Sequence, residues 1–531
     1  MSSTKVRSRP RRLRAWPAIV IVLLAAGAFG WVWLAPTNSR QTQVMKSMAV
    51  VAATLLLLAL WLLAASRLGW RTRLVAAAAL IGGGAFLLLS LEVREVSGDL
   101  VPHLAFKWQA RPDQRLSHDL AAEVVKPDLR GADSPGDAGE TGDFPQFLGP
   151  QRDATVPGIR LARDWQAAPP ERLWQREIGA GNSGFAIVAG IAVTQEQRGP
   201  EEMVVAYDLR AGTPRWSYAA PTRHHSALSG DGPCATPAIG DATVYALGAT
   251  GHLSALDLST GALRWSRNVL ADARATKPIY GLCVSPLLLD GQVIVVAGGS
   301  QGHALAAYDQ QSGDERWSGG NYPAAYASPM VAELAGTRQL VIFHGRGPEG
   351  DLTGHALDGR PLWHASWPQV PHTSQPVLLP GDRLFVSSGY GIGAKVFHIT
   401  HRPGAGFAAE LVWESRRLKA KLTQVVYRQG FLYGLDDGVL TCLDAATGER
   451  RWKRGRYGHG QILRVDDLLL VLSEKGDVAL VEAVPEAYHE LGRFTAIEGR
   501  TWNTPALAGR YLVVRNPRQA AAYRLRLAGD L

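Results

Sequence analysis

HLSALDLSTGALRW, residues His252 to Trp265, reads as one half of a small antiparallel sheet. Leu253, Ala255 and Asp257 alternate as a strand, Ser259-Thr260-Gly261 makes a tight turn, and Leu263-Arg264-Trp265 returns as a second strand. The pattern recurs as AYDLRAGTPRW ending at Trp216, AYDQQSGDERW at Trp317, ALDGRPLW at Trp363 and CLDAATGERRW at Trp452, always with Gly four residues before Trp. Asp257 suits a side-chain hydrogen bond to the turn backbone, Gly261 supplies positive φ, and Trp265 presents a large apolar face. A four-stranded sheet with such a face must stack on a neighbour. Stacking at a period of about forty to fifty residues is the habit of propeller blades.

Outward from this repeat, the 531-residue chain with its formal charge of +9 divides by composition. Residues 1–95 hold three apolar runs, Trp16 to Ala35, Met48 to Ala65 and Leu74 to Leu91, each near the length that spans a hydrocarbon core. The first follows Lys5, Arg7, Arg9, Arg11, Arg12 and Arg14 and resembles a secretory signal, but two further spans argue for a permanent anchor. The basic tail and the loop with Arg67, Arg71 and Arg73 outweigh Arg40 and Lys46, so the N-terminus is expected in the cytoplasm. Three crossings then put the rest in the periplasm, with residues 16–91 as the membrane partner. Residues 96–142, rich in Asp, Pro and Gly, read as a flexible linker.

The propeller region, residues 143–531, opens with DFPQFLGPQRDATVPG, Asp143 to Gly158. This segment, together with the A-x-D-x-x-T-G-x-x-x-W repeats, resembles the PQQ-binding-like (pyrroloquinoline quinone repeat) β-propeller proteins from Asp143 to Leu527. The expected class is therefore all-β, a propeller of four-stranded antiparallel blades behind a three-helix transmembrane region. Inner strands are signalled by CATP, CVSP, YASP, TSQP and WNTP, giving starts near Ser183, Cys234, Cys283, Tyr326, Thr373, Lys421, Gly458 and Trp502. That makes eight blades, with seven as the alternative because Trp413, Phe494 and Trp174 stand at docking positions without the Asp and Gly of the turn. RLWQREI, Arg172 to Ile178, is the spare strand predicted to close the ring.

Alternation places Thr236, Ser285, Ser328, Gln375, Thr423 and Thr504 at one inner-strand register and Tyr326, Lys421 and Trp502 two residues earlier. These are the channel-lining candidates for a ligand. The competing reading, favoured here, is a narrow wet channel in which small hydroxyls are what fits. Cys234 and Cys283 share a register in consecutive blades, where a bridge across the channel mouth is conceivable, but the separation of neighbouring inner strands favours free or buried thiols. His224, His225, His372 and His459 lack companions at metal-ligand spacing, and no metal site is assigned. Arg416, Arg417, Lys419, Lys453, Arg454 and Arg456 concentrate positive charge on a face that Asp436, Asp437 and Glu474 otherwise balance, pointing to an acidic partner.

The resemblance implies two functions. Related quinoprotein dehydrogenases hold pyrroloquinoline quinone and calcium in the channel, marked by a disulfide between adjacent cysteines, a Trp and a catalytic Asp. The three cysteines here, Cys234, Cys283 and Cys442, include no adjacent pair, and no inner-strand Asp matches a catalytic motif. The chain is also similar to the propeller lipoproteins of the outer-membrane β-barrel assembly machinery, which carry no cofactor, although no lipobox cysteine is present. The reading is thus an inner-membrane anchored periplasmic scaffold with an envelope protein partner, no cofactor, no catalytic residues and no nucleic acid. A PQQ-dependent dehydrogenase of sugars or alcohols is the alternative.

Overall fold

The computed structural model describes residues 14–35, 40–117, 120, 142–324, 326–344, 352–368 and 372–530. The basic tail before Arg14 and residues 118–119 and 121–141 of the expected linker lie outside them. The chain forms two compact units, Met1–Ala110 and Arg111–Leu531.

In the first unit, α1 (Trp16–Leu34), α2 (Arg40–Leu60), continued by a π-helical turn at Trp61–Ala65, and α3 (Trp70–Ser90) are each long and apolar enough to cross a membrane. Leu23, Leu24, Leu55 and Leu88 each expose more than half their surface, as suits side chains facing lipid. Arg40 and Lys46, read as loop residues, lie in the first turns of α2. Trp33 Nε1 donates to Ser47 Oγ (3.1 Å), joining α1 to α2. Directly after α3 comes a hairpin of β1 (Leu91–Val96) and β2 (Pro102–Phe106), where a linker was read.

The second unit is an eight-bladed propeller. Blades one to six run from inner to outer strand over residues 186–220, 238–268, 287–319, 330–365, 377–415 and 426–456. Blade seven covers 461–495, and blade eight joins Ala506–Ala508, Tyr511–Arg515 and Gln519–Arg524 to Glu171–Glu177. The front strand RLWQREI therefore closes the ring as its sequence predicts, pairing Trp174 with Ala522.

The repeat positions work as expected, with one addition. Asp257 Oδ1 accepts from the backbone N–H of Ser259 and Thr260 (both 3.0 Å), and Gly261 has φ +73°. In five of the joints, however, the Trp of one blade docks on the Gly of the next: Trp174 on Gly212, Trp216 on Gly261, Trp265 on Gly313, Trp317 on Gly359 and Trp413 on Gly448. Trp216 Nε1 also donates to Leu258 O (2.8 Å) across the same joint. The glycine is thus required twice, for its backbone conformation and for its missing Cβ. Trp174 and Trp413 make this joint although their own blades lack the turn motif. Phe494 serves blade seven, edge-on to Tyr523 of blade eight at 4.8 Å between centroids.

Candidate functional site

The segment Asp143 to Val156 crosses one end of the channel. Phe144 pairs with Ile187 of blade one, Pro145 O accepts from Ile239 N of blade two (2.8 Å), and Thr155–Val156 adds a parallel strand to Arg464 and Val465 of blade seven. Arg152, 3% exposed, donates from Nη1 to Pro286 O (2.8 Å) and from Nη2 to Ser285 O (3.1 Å), at the head of blade three. Burial pulls its guanidinium down to about 9, still charged at neutral pH. A cavity of about 320 Å³ remains beside this plug, lined among others by Gln151, Asp153, Gln375, Gln424 and Tyr427. Sequence reasoning passed over Arg152 because its partners are backbone carbonyls more than 130 residues away.

Above the plug, four of the channel candidates, Thr236, Ser285, Ser328 and Gln375, are linked into a belt between blades. The hydroxyl or amide oxygen of one blade accepts the backbone N–H of the blade before it: Gly184 N to Thr236 Oγ1 (3.0 Å), Thr236 N to Ser285 Oγ (2.9 Å) and Ser285 N to Ser328 Oγ (2.9 Å). Ser328 N then donates to Gln375 Oε1 (3.1 Å) and Gln375 N to Gln424 Oε1 (2.8 Å). Gln461 Nε2 bridges Leu422 O and Trp502 O (both 2.8 Å), and Asn503 Nδ2 reaches Ser183 O (2.8 Å) to complete the circle. In blade six the belt residue is Gln424, one past the candidate Thr423, whose buried Oγ1 has no hydrogen-bond partner among the described residues. Thr504 lies next to Gly184, across the seam between blades eight and one, without joining the belt through a described bond.

The opposite end is a mouth of aromatic rings. Tyr280 and Tyr326 pack at 5.1 Å between centroids, and Lys421 Nζ sits 5.0 Å over the Tyr390 ring. Burial, then the neighbouring tyrosines, push the Tyr326 and Tyr390 phenols up to about 12, so both stay protonated donors near neutrality. Trp502 donates from Nε1 to Glu474 Oε1 (3.0 Å), and the Arg500 guanidinium covers one face of its ring at 4.1 Å.

Cys234 and Cys283 form a disulfide here, which corrects the expectation of free thiols. Strands that diverge toward the rim converge at the axis, and the two Cα atoms are 4.8 Å apart, within disulfide range. Both sulfurs lie against the Tyr280 carbonyl, at 3.7 and 3.3 Å. Cys442 is buried, and burial pushes its thiol up to about 12.

Of the six basic-face candidates, Lys419 and Lys453 both clamp the buried carboxylate of Asp436, and Lys419 also lies 3.4 Å from Asp437. Arg416, Arg417, Arg454 and Arg456 remain exposed. The histidines divide as strand alternation requires: His224 is buried and His225 exposed, while His372 stacks on Phe343 at 4.0 Å.

Calcium takes six to eight oxygens rich in carboxylate. Among the described residues no three His, Cys, Asp or Glu side chains come together as a metal site, and Glu474 at the mouth already holds Trp502 and His459 N. Among the described residues, then, the mouth gathers no carboxylate set of the kind calcium takes.

Comparisons with known proteins accord with this architecture. Residues 200–454 match the family described as outer membrane protein assembly factor BamB. The chain is 26% identical over 288 residues, 47% of its length, to quinohemoprotein alcohol dehydrogenase ADH-IIG of Pseudomonas putida, and the match spans 37% of that protein. In structure it resembles quinohemoprotein alcohol dehydrogenase ADHIIG from Pseudomonas putida HK5, with TM-score 0.50, 15% identity, and coverage of 76% of this chain and 83% of that one. BamB from Moraxella catarrhalis aligns with TM-score 0.48 and 16% identity, over 67% of this chain and 98% of that one. The chain is an eight-bladed propeller with PQQ-like repeats, matched by the family over residues 200–454, and with N-terminal helices apolar enough to span a membrane.

Proposed function

We propose that this PQQ-like repeat propeller is a non-catalytic, protein-binding scaffold held at the bacterial inner membrane by residues 16–91, with its N-terminus cytoplasmic and its propeller periplasmic. The observation that carries the reading is the belt. Thr236, Ser285, Ser328 and Gln375, the polar groups best placed to hold an axial ligand, are engaged in joining blades, and Arg152 closes the channel at one end. What remains open to a partner is the propeller's outer surface. The exposed guanidinium groups of Arg416, Arg417, Arg454 and Arg456 suit an acidic segment of an envelope protein. The Cys234–Cys283 disulfide accords with an oxidising compartment, and the BamB family match with a role in assembly.

Chemical crosslinking in intact cells, followed by mild solubilisation, tests this. Changing Arg416, Arg417 and Arg454 to Glu should remove at least one crosslinked envelope protein while leaving the propeller folded. An unchanged crosslinking pattern would count against the docking face.

The second reading is a PQQ-dependent dehydrogenase. It is favoured by the identity to a quinohemoprotein alcohol dehydrogenase and by the tyrosine mouth, where Tyr326, Tyr390, Lys421 and Trp502 could contact a flat anionic ligand. That no three His, Cys, Asp or Glu side chains gather as a metal site among the described residues weighs against it.

A further inference from the structure

The hairpin that follows α3 has two unlike faces. Cross-strand pairs Leu91 with Phe106 and Val93 with Leu104 lie on one side, extended by Trp108, which stacks on Phe106 at 4.4 Å. A bulge at Arg94 follows, and Glu92 and His103 fall on the other side, where Arg94 Nε donates to Glu92 Oε1 (3.2 Å). The apolar side is uncovered: Val93 is 38% exposed, Leu104 57% and Trp108 65%. An isolated two-stranded hairpin is marginal in water, so this face needs something to lie on.

Its position identifies what that is. β1 begins at Leu91, the residue after α3 ends, and Lys107 N donates to Ser90 O (2.8 Å), holding the far strand to the same helix end. At the hairpin's other end Asp99 lies 4.0 Å from Arg40, the first residue of α2. The hairpin is therefore held at both ends to helix termini on one side of the helical unit. The 21-residue α3 is about 31 Å long, roughly the hydrocarbon thickness, which puts its end at Ser90, where the hairpin begins, at the lipid–water boundary. Trp and Phe flanked by Lys107 and Arg94 is the composition that boundary selects.

We propose that the β1–β2 hairpin lies along the membrane surface, its Leu91, Val93, Leu104, Phe106 and Trp108 face bedded among lipid headgroups. The hairpin would thereby set the depth of the anchor and fix the direction in which the chain leaves the bilayer. This rests on reading α3 as a membrane span.

The test uses the full chain in phosphatidylcholine vesicles, with an environment-sensitive fluorophore at single cysteines in a Cys442→Ser background. Leu104→Cys reports the apolar face, His103→Cys the polar face and Leu80→Cys the middle of α3. The label at position 104 should be quenched several-fold more by a shallow lipid nitroxide than by aqueous iodide, the label at 103 the reverse, and the label at 80 by a deep nitroxide. Iodide quenching at 104 equal to that at 103 would overturn the proposal. So would protection of 104 from both quenchers, which would mean that the propeller or a second copy covers the face. If position 80 escapes the deep nitroxide, the spanning reading falls and the hairpin proposal with it. If 80 is quenched and 104 is not, only the hairpin proposal falls.

Discussion

The indole of Trp216 lies so close over Gly261 of the following blade that a Cβ at that glycine would stand 2.6 Å from the ring. Gly261→Ala therefore meets two obstacles, the positive φ and the indole, and neither can move without parting two blades. A loss of about 2–4 kcal/mol is expected, near the about 3–5 kcal/mol of Trp216→Ala. Denaturant unfolding of the two single variants and the double variant measures it, and the double should lose less than the sum because both break one joint.

The disulfide closes a sequence separation of 49 residues between blades two and three. Replacing both Cys234 and Cys283 by Ser should cost about 4 kcal/mol by loop entropy. Under denaturing conditions one thiol, that of Cys442, should react before reduction and three after it.

Arg152 is expected to matter for stability more than its place in a connecting segment implies. Arg152→Met leaves the carbonyls of Ser285 and Pro286 without their donor at a buried position, a loss of about 2–4 kcal/mol. Limited proteolysis should then cut first between Asp143 and Val156, the segment it secures.

Two kinds of carboxylate give opposite pH slopes. The Ser259 hydroxyl, then Arg264 and Thr260, hold Asp257 well below the usual carboxylate range, and Arg316 with the Ser312 N–H holds Asp309 near about 2. Their contribution is complete above the unfolded value of 3.8 and is lost as pH falls from there toward 2. Asp309→Asn should flatten that acid limb of the melting temperature. Glu202 is the reverse: burial pushes it up to about 7, and its Oε1 has no hydrogen-bond partner among the described residues. The folded state then holds a proton that the unfolded state has released, so stability falls as pH rises from 4.5 to 7. Glu202→Gln should remove that slope and melt higher than the parent at pH 8.

The architecture was legible in the sequence because its determinants are local. The turn Asp, the Gly and the docking Trp sit within a dozen residues of one another, and RLWQREI stood at the front as a spare strand for the last blade. What crosses between blades was not legible. The sequence placed Cys234 and Cys283 at one register but carried no measure of how far inner strands converge, so the bond was missed. It also aligned Thr423 with the belt hydroxyls, whereas blade six presents Gln424, since a long amide spans a gap that a hydroxyl one residue earlier does not. Arg152 stood inside the DFPQFLGPQRD entry segment with no role read for it, and Tyr280 and Tyr390 carried no motif; folding alone brings them to the plug and the mouth. The basic run counted six cations, but Lys419 and Lys453 turn inward to Asp436, a pairing between residues 17 apart across a hairpin.

The central claim, a propeller that binds protein and not a redox cofactor, is tested most directly by titrating the purified chain with pyrroloquinoline quinone and calcium. Absorption of the quinone and reduction of an artificial electron acceptor by alcohols and sugars are followed together. The account expects no saturable change in the quinone spectrum and no acceptor reduction above that of free quinone. Stoichiometric uptake with substrate-dependent acceptor reduction, abolished by Lys421→Met, would contradict it.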